Sequence, residues 1–328
     1  MKKISCREAI REALFEEMAR DQDVVLIGED LGCYGGCFQV TAGLIERFGT
    51  HQVIETPVSE EAIVGVAVGA AMMGMRPIVE IMYGDFSTLA SDPLINHAAK
   101  MRFLSAGKLS VPLVYRTPMG SGTGAAAQHT QSLESVFTNI PGLKIVYPST
   151  PYDLKGLLKS AVRDPDPVLF FEHKLYGVED LIPEEEYLIE IGKGDIKRQG
   201  ADVSIITYGK TVFTALEAAR LLEADEISAE VLDVRTLRPL DTDLILQSVS
   251  KTGRAVVVHE APTFGGFAGE IVATIVGNRR AFHALKFPVE RVCGLEMPTP
   301  FNKHLELALP PSVERIVDAV THMFTSSV

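Results

Sequence analysis

The chain has 328 residues, 46% of them apolar and 23% charged, which suits one large or two medium domains with a substantial core. Its 31 basic and 43 acidic residues give a net charge of -12 with no basic stripe, which argues against nonspecific binding to nucleic acid or to an anionic membrane. The longest uncharged apolar run, Ala62 to Met75, falls short of the roughly 20 residues a membrane span requires.

The opening MKKISCREAI runs straight into an amphipathic helix over 5–20, so no secretory leader is expected. Asp23–Ile27 reads as a strand and is followed by Gly28, Glu29 and Asp30. Cys33-x-x-x-Cys37 would need two more ligands nearby to hold a structural zinc, and none is present; with Cys6 and Cys293 they read as reduced thiols. A helix over 60–75 built from Gly, Ala, Val and Met begins with Glu60. An acid in a first helical turn serves the helix dipole. Gly65 and Gly69, at i and i+4, also make one face smooth enough for close contact with another chain, where a buried carboxylate would exchange a proton. Both readings of Glu60 stand on the residues alone.

Pro77–Met82 is the next strand, ending at Tyr83-Gly-Asp-Phe86, where Phe86 is either core or a platform for a flat ring. A helix is expected over 88–104; Asp85 and Asp92, like Glu29 and Asp30, have the positions of caps. Strand Val111–Tyr115 leads into Arg116-Thr-Pro-Met-Gly120-Ser-Gly122-Thr-Gly124-Ala-Ala-Ala127-Gln-His129. Gly122-x-Gly124 is a loose dinucleotide fingerprint, but the acid that should close the next strand is missing and there is no Walker lysine. The glycines are better read as shaping a loop that presents His129 at a strand's C-terminal end, although a hydrogen-bonded structural histidine fits as well. A helix over 130–139, strand Leu143–Tyr147, helix 152–162 and strand Pro167–Phe171 complete the first pattern. The turn Asp164-Pro-Asp166 after the 152–162 helix offers oxygen ligands to a hard cation, or is a plain surface turn.

The rhythm breaks over 176–200, and 186–200 is read as a linker between a first domain, 1–185, and a second, smaller α/β domain, 201–328. Alternating buried strands and helices in both predict mostly parallel sheets.

Taken together, Gly28-Glu-Asp, Thr56-Pro-Val-Ser-Glu60, Arg76-Pro-Ile-Val-Glu80, Ala126-Ala-Gln-His129-Thr-Gln-Ser132, Ile140-Pro-Gly-Leu-Lys144, Pro151-Tyr-Asp-Leu-Lys155 and Pro298-Thr-Pro-Phe301 resemble, in order and along the whole chain, the β subunits of the thiamine-diphosphate-dependent E1 component of 2-oxo acid dehydrogenase complexes. The nearest resemblance is to pyruvate dehydrogenase members; branched-chain 2-oxo acid and acetoin enzymes are the alternatives, ahead of a nucleotide-dependent oxidoreductase or a noncatalytic assembly subunit. The resemblance implies a transketolase-like fold, with a pyrimidine-binding domain followed by a transketolase C-terminal domain. It also implies an α2β2 heterotetramer that works with the lipoyl domain and core of E2.

By the same resemblance, Glu60 bonds N1′ of the cofactor's aminopyrimidine, Phe86 packs on that ring, and His129 faces the substrate and the lipoyl group. Glu29 and Asp92 lie near the cofactor as proton-relay acids. A structural potassium would take oxygens of Leu113, Ala161, Val162, Asp164 and Asp166. The Gly-Asp-Gly stretch that anchors the diphosphate through Mg2+ is missing from this sequence, as expected if the α subunit supplies it. The implied location is the bacterial cytoplasm, or an organelle interior after removal of a transit peptide.

Overall fold

Parallel strands alternating with helices build both halves of the chain, in keeping with the two α/β domains expected. The computed structural model describes residues 1–32, 34–174 and 176–325, so Cys33 lies outside the described residues. Two units emerge: Met1–Met119 with Val136–Ile191, and Gly120–Ser135 with Gly192–Val328.

The first unit holds β1 (Lys2–Ser5), α1 (Cys6–Arg20), β2 (Val24–Gly28), α2 (Leu44–Phe48), β3 (Val53–Glu55), α3 (Glu60–Met72), β4 (Arg76–Glu80), α4 (Met101–Leu104) and β5 (Val114–Met119). After a departure into the second unit, the chain returns through α5 (Glu134–Thr138) to β6 (Lys144–Val146), α6 (Pro151–Arg163), β7 (Val168–His173) and β8 (Glu179–Ile182). Strands β6-β7-β5-β4-β2-β3 lie side by side in that order, each pair parallel. Their interiors are mostly apolar, as suits a sheet covered on both faces, with Arg116 in β5 and Glu172 in β7 as buried charged exceptions.

Helix α1 starts where Ser5 and Glu8 form a reciprocal cap: the Glu8 amide donates to Ser5 Oγ at 3.3 Å and the Ser5 amide to the Glu8 carboxylate at 2.7 Å. It packs against α6, burying Ile10, Leu14 and Met18 with Leu154, Leu157 and Leu158. The stems of Lys155 and Lys159 are buried too, and their ammonium groups end on Glu16 of α1 at 2.5 and 2.6 Å.

Three expected elements are displaced. The strand expected at 111–115 runs instead over Val114–Met119, because Pro112 has no N–H to give to a ladder. The expected 88–104 helix breaks into a 3-10 turn (Gly84–Thr88), a π-helical turn (Pro93–Ala98) and α4; Pro93 interrupts the regular bonding. Of the helix expected over 130–139, only Glu134–Thr138 is helical, since Thr130 Oγ1 bonds back to Ala126 O at 2.6 Å and keeps 126–130 in a loop.

The second unit continues with β9 (Asp195–Arg198), β10 (Val203–Thr207), α7 (Thr211–Leu222), β11 (Ala229–Asp233), β12 (Thr236–Arg238), α8 (Thr242–Thr252), β13 (Ala255–Pro262), α9 (Ala268–Gly277), α10 (Arg279–Ala284), β14 (Glu290–Gly294), α11 (Lys303–Glu306) and α12 (Val313–Thr325). Its sheet order is β14-β13-β10-β11-β9, parallel except for β9. Strand β9 falls within the stretch read from the sequence as a linker, where its antiparallel pairing gives β11 an edge partner. Apolar residues of α7 and α12 close the core over β10, β11 and β13.

Candidate functional site

In a parallel sheet the open C-terminal strand ends are where side chains converge on a ligand. Here Gly28 ends β2, Glu80 ends β4, and Arg116 stands opposite Glu80 in β5. Gly28 must be glycine because a Cβ would come within 2.6 Å of the Glu80 carbonyl oxygen. Beyond it, Glu29 is buried and its Oε1 accepts from the Ser59 amide at 3.3 Å, fixing the approach to α3. Burial raises the Glu29 carboxyl above the ordinary value; the Ser59 amide opposes this and the Glu60 charge adds to it.

Glu60 opens α3 and is 8% exposed. No hydrogen bond to its carboxylate is found among the described residues, so it keeps acceptor capacity for a donor from outside the chain. Its charge also reaches Tyr115, whose hydroxyl lies 2.6 Å from Ser87 Oγ in the 3-10 turn that carries Phe86. Phe86 is half-buried, its ring edge-on to Tyr83 at 5.7 Å. The structure therefore brings Glu29, Glu60 and the Phe86 turn to one region. Asp92 is exposed and engaged with Asn96 at 2.7 Å and His97 at 3.4 Å. An acceptor-only carboxylate beside a half-exposed ring suits a flat ligand that presents a hydrogen-bond donor.

Beneath these residues lies a charge cluster that sequence reasoning missed. Arg116, 1% exposed, grips Glu172 through Nε at 3.0 Å and Nη2 at 2.6 Å, and also bonds Glu80. Tyr176 donates to Glu172. Burial works against the Arg116 charge, but Glu172 and Glu80 outweigh it and raise its pKa. Each member sits in a different strand or loop, so no local spacing announces the cluster.

One face of α3 carries Gly65, Val66 and Gly69, continued by Met73 just past its end; Val66 is 64% exposed, and a Cβ on either glycine would meet nothing within 4 Å. The smooth face read from the sequence is open in this chain.

The proposed cation turn is already neutralised by side chains. Lys144 Nζ lies 2.7 Å from both Asp164 oxygens and 3.6 Å from Asp166, and Arg102 holds Asp166. Arg76 takes the Val162 carbonyl at 2.9 Å, while those of Leu113 and Ala161 accept from Val168 and Asp164 at 2.9 and 3.2 Å. Each carbonyl keeps one lone pair. The oxygens fit a monovalent ion only in competition with Lys144, Arg102 and Arg76. No grouping of three or more His, Cys, Asp or Glu suited to a metal occurs among the described residues.

His129 lies in the second unit, in the segment Gly120–Ser135, and is half-buried. Gly120, Gly122, Gly124 and Ala126 all have left-handed backbone, which turns successive amides inward. The Gly122 and Gly124 amides donate to the two oxygens of Glu306 at 2.7 and 2.8 Å; the Ser121 amide and hydroxyl donate to Glu260, both at 2.6 Å. The glycine loop thus binds carboxylates of its own chain, which accounts for the incomplete dinucleotide fingerprint. Downstream, Glu134 is fully buried, accepts from Tyr208 at 2.8 Å, and leaves its second oxygen unpartnered. Burial, with the Glu260 charge in a lesser part, pushes Glu134 up to about 7. A cavity of about 370 Å3 borders the loop, lined by Ser121, Thr130, Gln131, Ser132, Glu260 and Glu296 among others.

Comparison with known proteins matches residues 2–177 to the transketolase pyrimidine binding domain and residues 192–316 to the transketolase C-terminal domain. The β subunit of acetoin:2,6-dichlorophenolindophenol oxidoreductase from Cupriavidus necator is 48% identical, over 97% of this chain and 96% of its own. The 2-oxoisovalerate dehydrogenase β subunit of Bacillus subtilis is also 48% identical, over 91% of both chains. The pyruvate dehydrogenase E1 β subunit of the same organism is 46% identical, over 94% of this chain and 95% of its own. A solved split-gene transketolase, an inactive β4 tetramer, matches with a TM-score of 0.81 over 98% of both chains at 22% identity, a likeness of fold.

Proposed function

The chain belongs to the E1 β-subunit family of the 2-oxo acid dehydrogenases, and from that premise we propose that with an α subunit it decarboxylates pyruvate and passes the acetyl group to a lipoyl group of E2. The observation that carries this reading is Glu60: a buried carboxylate, without a hydrogen-bond partner among the described residues, at the mouth of a parallel sheet. Thiamine diphosphate, when bound, supplies the nucleophilic carbon and the electron sink for decarboxylation. Glu60 accepts a hydrogen bond at N1′ of the aminopyrimidine and so biases where that ring carries its protons. Phe86 gives the ring a face to rest on, and Glu29 and Asp92 are acids of a proton relay. His129 orients the substrate and the lipoyl group.

The α subunit holds the Mg2+ and diphosphate, and its helix covers the open Gly65/Gly69 face of α3. The compartment is the bacterial cytoplasm or an organelle interior. A potassium ion at Leu113, Ala161, Val162, Asp164 and Asp166 acts as a structural brace; melting should then be higher in KCl than in NaCl at equal ionic strength, and equal melting removes the ion from the proposal.

The test is Glu60→Gln in the enzyme reconstituted with its α subunit. Glutamine keeps the volume but loses the charge, so tetramer assembly should persist while turnover falls by about 100-fold or more, the scale of a lost acid–base group. Wild-type turnover would sink the assignment. Offering pyruvate, 2-oxoisovalerate and acetoin in the same assay decides among the substrates that the relatives' names span, which stand at similar identity.

A further inference from the structure

Three features of the second unit meet at one loop. First, Gly120, Gly122, Gly124 and Ala126 are left-handed, and for Ala126 that conformation costs on the order of 1 kcal/mol, so it persists only where neighbours impose it. Second, Thr130 Oγ1 holds the Ala126 carbonyl, and the loop before it is held by two carboxylates from distant sequence: Glu306, fully buried on α11, takes the Gly122 and Gly124 amides, and Glu260, on β13, takes Ser121 twice. Third, the cavity of about 370 Å3 beside the loop gives it room to move if released. Charge-assisted bonds to ionised carboxylates are the strongest tethers a backbone amide can have, and here they end five residues before His129.

We propose that Glu306 and Glu260 are positioning residues that fix the glycine loop and thereby the placement of His129. The proposal rests on the reading of His129 as the residue that faces the lipoyl group. Glu306 itself touches neither substrate nor cofactor in this account. It acts by supplying two acceptor oxygens at the separation of two loop amides. Glutamine at this position has one acceptor oxygen and sets an NH2 against the second amide, so it breaks one tether at nearly constant volume. Aspartate keeps both oxygens on a shorter stem and is the conservative comparison.

Two measurements on Glu306→Gln test it. In the full chain, hydrogen–deuterium exchange should speed up by about tenfold or more in peptides covering 120–130, the effect of losing one charged hydrogen bond, while β10 peptides keep their protection. In the reconstituted enzyme, the ratio of lipoyl transfer to 2,6-dichlorophenolindophenol reduction should fall by about tenfold, chiefly in kcat. His129→Ala should lower the same ratio, and the double variant should be no worse than His129→Ala alone. Glu306→Asp should recover part of both effects. Unaltered exchange in Glu306→Gln would overturn the proposal. So would losses that multiply independently in the double variant. If His129→Ala leaves the ratio intact while Glu306→Gln still frees the loop, the role of His129 fails and the tethering survives.

Discussion

Glu134 provides the sharpest test of the second unit's electrostatics. Its carboxyl faces the Tyr208 hydroxyl and its own backbone amide, with the Glu260 charge adding to the effect, and burial raises it from 4.5 to about 7. Between those values the folded chain holds a proton that the unfolded chain lacks. Stability from this group is therefore complete below pH 4.5 and drains away as pH rises through 7, at about 1.4 kcal/mol per unit and about 3 kcal/mol in all. His259, buried and stacked on Tyr208 at 5.9 Å, does the opposite: burial lowers it from 6.5 to about 4, so stability falls as pH drops through that window. Where the windows overlap, between 4.5 and 6.5, the two slopes cancel. Glu134→Gln removes one of them. Scanning calorimetry across pH 4.5–7.5 should show the variant gaining on the wild type by about 3 kcal/mol from the low to the high end, or roughly 6–12 °C for a domain of this size. The constant cost of a poorer Tyr208 contact shifts the whole curve but does not change its slope. Parallel melting curves would mean that Glu134 is ionised in the fold and the burial argument is wrong.

Gly69→Leu should leave the isolated chain as stable as the wild type or slightly more so, since a Cβ there meets nothing within 4 Å and leucine is the better helix former. The same change should weaken association with the α subunit by gel filtration; undisturbed assembly would remove α3 from the interface. Arg116→Met strands Glu80 and Glu172 in the core, a loss of about 3–5 kcal/mol of the kind that follows breaking a buried ion cluster, visible as a sharp drop in melting temperature or in soluble yield. An unchanged melting temperature would show that the cluster contributes nothing to stability.

The sequence made the periodic parts legible. Apolar runs flanked by Gly and Pro located most strands because a strand buried on both faces is mostly apolar. The displaced elements were those where one residue type overrules periodicity, as Pro112 and Pro93 do. Glu60 was visible because an acid opening a helix of Gly and Ala is locally odd. Glu306 was not: its partners are Gly122 and Gly124, far away in sequence, and a glutamate in Lys303–Glu306 looks like any surface acid. Arg116, Glu80 and Glu172 were hidden for the same reason, since strand order and not spacing brings them together.

The excursion of Gly120–Ser135 into the second unit also bears on how the chain is made. A ribosome delivers the loop long before it delivers its tethers. Glu260 and Glu306 emerge more than a hundred residues later, so this segment waits unsecured until both have been made. The stretch bearing His129 then settles only after its partners in sequence have appeared. A fragment beginning at Gly192 would fold, if at all, around two carboxylates whose amide partners were left behind.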